Sequence, residues 1–160
     1  MENPVDRNSI ILMCESLEKK IGVLNQIREM NGKQKEILKN PRSSPDELEE
    51  NLSRKGGLIV ELERLDSGFS TLYEKVREEL RINKDKYADE IAEMKELIRK
   101  ITALSAAVER EEKENKELAA ERFSDVRKMA RRIRKNEKAV SSYYKTMSQS
   151  TDPGFMDQKN

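Results

Sequence analysis

The sequence predicts an all-α protein: an antiparallel helical bundle or coiled coil of three helices with a long C-terminal helix. Three observations carry that prediction. Ala, Glu, Lys, Leu and Arg supply 78 of the 160 residues, a share typical of long helices. Apolar residues recur at steps of three and four, and no segment alternates with period two. The prolines are Pro4, Pro41, Pro45 and Pro153, so none interrupts a helix between 46 and 152.

The first helix is expected over about 6–39. Its apolar seam is Ile10, Cys14, Leu17, Ile21, Leu24 and Ile27, continued by Asn31, Gln34 and Leu38. The break at 40–45, Asn-Pro-Arg-Ser-Ser-Pro, follows. Ser44 fits an N-cap, Pro45 the first helical position and Glu47 the capping-box acid. The second helix therefore starts near 46 and runs to about 82. Its seam reads Leu48, Leu52, Lys55, Ile59, Leu62, Asp66, Phe69, Tyr73, Val76 and Leu80. Leu58, Leu65 and Leu72 widen the stripe, as packing on two neighbours requires. Gly56, Gly57 and Gly68 suit either a close helix approach or a bend. Residues 83–86, Asn-Lys-Asp-Lys, are the next turn, with one unbroken helix as the rival.

The third helix is expected over about 88–148. Steps of three and four alternate from Ile91 through Ile98, Ile101, Glu112, Asn115, Arg122, Val126, Ile133, Asn136 and Tyr143 to Met147, a coiled-coil repeat of about 3.5. At about 1.5 Å per residue it outruns the first two helices, leaving about 25 residues overhanging. Residues 109–117 contain no apolar side chain, so the helix is expected to cross this stretch but to bury little there, and the stretch separates the C-terminal portion from the bundle. Beyond it, Leu118, Ala119, Phe123, Val126, Met129, Ala130 and Ile133 form a new stripe that needs a covering surface. Asn115 and Asn136 on the seam either fix register or face solvent. The expected organisation is one α-helical domain over 1–148 and a polar tail over 149–160.

Composition also bounds the chemistry. There is no His, and Cys14 is the single Cys. The commonest general base, multi-Cys zinc patterns and an intrachain disulfide are all missing. Cys14 sits on the first seam as a small core residue. No acid pair suggests catalysis, so the expectation is a non-enzyme without cofactor or metal. No run of 18 apolar residues exists, and the N-terminus lacks a basic-then-apolar signal, which points to a cytoplasmic protein. Residues 122–138 carry a net charge of +6. Without a nucleic-acid motif, that face reads first as solvated or paired with the acidic 109–121 stretch. Neither nucleic acid nor membrane insertion is expected.

Several local segments stand in an informative order. An opening amphipathic helix contains Leu17-Glu18-Lys19-Lys20-Ile21. The break leads into Asp46-Glu47-Leu48-Glu49-Glu50. Then come Lys55-Gly56-Gly57-Leu58-Ile59-Val60-Glu61-Leu62 and Leu65-Asp66-Ser67-Gly68-Phe69, and later Glu114-Asn115-Lys116-Glu117-Leu118. Over about residues 8–148 this order resembles the FlgN family of bacterial flagellar export chaperones, in particular its Gram-positive branch. The last segment is similar to the family's Asn-x-x-Leu-Leu element, with Ala119 in place of the second Leu. The family's Tyr-Gly motif after the last helix has no counterpart, because Tyr143-Tyr144 is followed by Lys145-Thr146-Met147.

The resemblance implies a cytoplasmic α-helical chaperone. It would bind the C-terminal helical segments of hook–filament junction proteins and deliver them to the flagellar type III export gate. The expected partner-binding residues are Leu118, Phe123, Val126, Met129, Ile133, Val140, Tyr143 and Tyr144, with a homodimer as another way of covering the stripe. Two alternatives share the helical build: a self-associating coiled-coil scaffold, and a chaperone of the filament-cap, FliT-like type.

Overall fold

The computed structural model describes residues 4–134 and consists of three α-helices: α1 (Pro4–Lys39), α2 (Pro45–Ile82) and α3 (Ala88–Arg134). No strand occurs among the described residues. The expected all-α architecture is thus observed, and its helix boundaries agree to within two residues wherever both ends are described. The break at 40–44 forms as its chemistry dictates. Pro41 disfavours helical backbone at Asn40, and Ser44 caps α2 by accepting from the Glu47 amide while the Glu47 carboxylate accepts from the Ser44 amide. Residues 83–87 are a turn, so the rival of one unbroken helix is excluded. Asn83 closes α2 by donating its amide to the Glu79 carbonyl.

α1 is the central helix. α2 runs antiparallel to it and α3 parallel to it, each packing along its length, whereas α2 and α3 approach one another far less. The parallel alignment shows in cross-helix pairs of constant offset: Arg7 with Glu90 and Arg28 with Glu111. Ile10, Met13, Cys14, Leu17 and Leu24 of α1 meet Val76 of α2 and Met94, Leu97 and Ile101 of α3 in the main core cluster. Val23, Ile27 and Leu65 extend it. Each such aliphatic side chain contributes about 1.5–3 kcal/mol by leaving water.

The seam of α2 differs from the expected one. Leu52, Ile59, Asp66 and Tyr73 are exposed, and the inward positions are Asn51, Leu58, Leu65 and Leu72 beside Leu48, Lys55, Leu62 and Val76. The stripe is rotated because α2 docks chiefly on α1 and does not close on α3. The same openness exposes Ile98 on α3. Gly56, Gly57 and Gly68 are also exposed, and a Cβ at any of them would meet nothing within 4 Å. They therefore mark no close helix approach.

Tyr87, in the turn before α3, is fully buried. Its hydroxyl lies 3.2 Å from the Glu79 carboxylate, to which it donates, and the Arg7 guanidinium sits 5.1 Å from its ring centroid. This contact fixes the 83–87 turn on the end of α1. Among the described residues no helix is long and apolar enough to cross a membrane.

Candidate partner-binding surfaces

A buried polar layer positions the surfaces at both ends of the bundle. Lys55 of α2 points inward, its side chain only 7% exposed. Its ammonium has three protons to place. It places them on Asn31 Oδ1 at 3.1 Å, Gln34 Oε1 at 2.7 Å and the Glu112 carboxylate at 2.7 Å. Asn115 of α3, 2% exposed, donates to the Asn31 carbonyl at 3.0 Å. Asn31 itself donates to Glu111, which also receives Arg28. One polar residue set from each helix therefore meets at one level. Sliding any helix by a turn would strand buried donors and acceptors, so the layer fixes alignment.

The layer corrects the expectation for residues 109–117. That stretch lacks apolar side chains, yet it belongs to the bundle and is seated by hydrogen bonds rather than by apolar area. Of the two readings open for Asn115, burial is the one observed. Packing against α1 continues to Arg122, whose guanidinium donates to the Ile37 carbonyl at 2.7 Å, to Ser43 Oγ at 2.6 Å and to the Ser43 carbonyl at 2.8 Å. The overhang therefore begins close to where the helix lengths place it, and α3 crosses 109–117 without a break while still held to α1. Only residues 123–134 of the described helix run past this clasp.

The first surface lies at that end. Leu118 and Val126 of α3 face Leu38 and Pro41 across an open cleft of about 730 Å³, with Glu121, Asp125, Lys39 and Lys128 on its rim. Leu118, Phe123 and Val126 are half-buried. Thus three of the expected partner-binding residues lie at this end of the described bundle, and two of them line one cleft. Met129 and Ile133 lie on α3, but their side chains fall outside the described residues. Val140, Tyr143, Tyr144, Asn136 and the 149–160 tail also lie outside them.

The second surface was not expected from the sequence. Because α2 and α3 do not close on each other, a groove of about 970 Å³ opens between them near the 83–87 turn. Met13 and Met94 lie at its floor, and Phe69, Tyr73, Leu80, Ile91 and Ile98 line it. Phe69 and Tyr73 stack with ring centroids 6.5 Å apart. The signal was present in the sequence as an α2 stripe too wide for one neighbour.

Neither surface carries a reactive constellation. Cys14 is buried, and burial, reinforced by the carboxylates of Glu93, Glu18, Glu90 and Glu15, pushes its thiol pKa up to about 11. Among the described residues no group of His, Cys, Asp or Glu is arranged to hold a metal ion. Comparison with protein-family models, with curated proteins and with solved structures finds no match.

Proposed function

We propose that this protein is a FlgN-type flagellar export chaperone. It binds the C-terminal helical segment of a hook–filament junction protein and delivers it to the flagellar type III export apparatus. The sequence resemblance supports the family, and one structural observation supports the mode of binding. α3 runs on past the Arg122 clasp, and its apolar side chains Leu118 and Val126 flank an open cleft with Leu38 and Pro41.

A half-covered apolar stripe on a projecting helix captures an amphipathic client helix by its i, i+3, i+4 anchors. Ordering a loose client consumes about 2–5 kcal/mol of the interaction energy. That cost keeps the complex dissociable, as hand-over at an export gate requires. The helical frame needs only to hold the stripe in place, which the polar layer and the clasp do. Binding requires no reactive group and no cofactor.

Calorimetry with a peptide from the C-terminus of a junction protein tests the proposal. Val126→Asp places a charge in the cleft and should abolish binding. Ile133→Ala should cost about 2 kcal/mol if that residue is a central anchor. Unchanged binding by both variants, with unchanged melting curves, would overturn the assignment. Light scattering that shows the stripe occupied by a second copy would favour the scaffold reading instead.

A further inference from the structure

The groove between α2 and α3 has an apolar floor and a predominantly basic rim. Four cationic residues line it, Arg77, Arg81, Lys84 and Lys95, against the single acid Glu78. Arg81 is paired with Glu78 at 3.0 Å and Arg77 lies 3.7 Å from Glu74. Among the described residues no ion pair holds Lys84, in the 83–87 turn, or Lys95, on α3. Tyr73 and Ile98 stand 41% and 46% exposed on the same opening.

We infer that this groove docks an amphipathic helix with acidic flanks, supplied by a partner protein, at a site separate from the α3 end. The shape selects a helix. Two rods lying side by side on α1 leave a trough for a further rod, and the lining on α2 from Phe69 to Arg81 spans about 18 Å, or about 12 residues of helix, before the 83–87 turn adds Lys84. A trough of that form gives a flat lipid surface little contact with Met13 or Met94. The charge selects the flanks, since acidic residues beside the apolar stripe would meet Lys84 and Lys95. A second copy of this chain is a poorer complement. Exposed acids on α2 and α3 pair with arginines three or four residues on, as in Glu50–Arg54, Glu61–Arg64 and Glu96–Arg99, and the acids Asp46 and Glu49 at the start of α2 flank Leu48, which is buried in the bundle.

The inference does not depend on the chaperone reading, and its test separates the two. The probes are two fluorescein-labelled peptides of about 15 residues with Leu at i, i+3, i+4 and i+7, one flanked by Glu and one by Lys. Fluorescence anisotropy with the full chain should show the Glu peptide binding about tenfold more tightly or better. That preference should collapse in about 1 M salt, where the Debye length is about 3 Å. Lys84→Glu with Lys95→Glu should reverse it. Tyr73→Ser with Ile98→Ser should reduce binding of the Glu peptide at least tenfold, while Val126→Asp leaves it unchanged. All four substituted groove residues are exposed, and circular dichroism melts verify that each variant folds. Equal affinity for the two peptides, or loss of binding on Val126→Asp alone, would overturn the inference. So would displacement of the Glu peptide by phosphatidylglycerol vesicles, or a dimer in light scattering that Tyr73→Ser with Ile98→Ser dissolves.

Discussion

Lys55 of α2 and Glu112 of α3 meet at 2.7 Å although their two helices barely touch elsewhere. The pair is asymmetric. The Lys55 side chain is 7% exposed and the Glu112 side chain 41%. Lys55 therefore works mainly as a buried donor to α1, and Glu112 closes the layer at its wet edge.

The asymmetry predicts unequal costs. Lys55→Ala removes the donor facing Asn31 Oδ1 and Gln34 Oε1 and should destabilise by about 2–4 kcal/mol. Glu112→Ala should cost about 1 kcal/mol, because water can reach the place it leaves. Urea unfolding of both variants measures the difference. Equal losses would mean that Lys55 is held from the solvent side instead.

The glycines of α2 predict the opposite sign. Gly56, Gly57 and Gly68 lie in the helix interior, none has positive φ, and an added Cβ meets no atom. Substitution by Ala should stabilise by about 0.5–1 kcal/mol at each site, through helix propensity and a less flexible unfolded chain. Thermal melts check it. A loss at one of them would reveal a contact that only a bound partner makes.

Local signals proved the most legible. The capping box at Ser44 and Glu47 is complete within four residues, so the sequence shows it without knowledge of the fold. The α1 seam was legible too, including its polar members Asn31 and Gln34. Their meaning was not, because a polar seam residue reads as exposed until its partners are known. Here the partners Lys55 and Asn115 lie 24 and 84 residues away. Tyr87 was missed because it stands among turn residues, although it continues the α3 seam four places before Ile91. The rotation of α2 was hidden because its stripe has apolar residues on both flanks. Only the incomplete closure on α3 decides which flank is buried.

Cys14 predicts a pH window. Its thiol pKa is raised from 9.0 to about 11 in the folded chain, first by burial and then by nearby carboxylates. Below pH 9 both states keep the proton, so the group adds no pH dependence. Above it the unfolded state loses the proton first and binds fewer protons than the native state. Stability should therefore fall as pH rises from 9 to about 11, by about 1.4 kcal/mol for each pH unit in that interval. Cys14→Ser should remove that slope. Iodoacetamide labelling at pH 8 should proceed only as fast as the chain opens. Rapid labelling of the native protein would contradict the burial.

The Arg122 clasp gives a prediction about the end of the bundle. One guanidinium satisfies the Ile37 carbonyl near the end of α1 and both oxygens of Ser43 in the loop. Ser43 Oγ also lies 2.6 Å from the Ile37 carbonyl, so the hydroxyl and the guanidinium share one acceptor. A planar fork with several fixed donors suits this geometry, and a lysine ammonium does not reproduce it. Arg122→Ala should cost about 1.5–3 kcal/mol, the range for hydrogen bonds from a charged group. Arg122→Lys should recover less than half of that. The effect should be local. The Ser43 amide, bonded to the Asn40 carbonyl, and the Arg42 amide, bonded to Asn40 Oδ1, should exchange faster with deuterium. Amides around Leu17 and Met94 should keep their protection, because that core lies many turns away. Arg122 also lines the cleft of Leu118 and Val126, so junction-peptide binding should weaken in Arg122→Ala even where the chain remains folded. Uniform loss of protection along α1 would show instead that the clasp holds the whole bundle. In that case weakened peptide binding could not be assigned to the cleft.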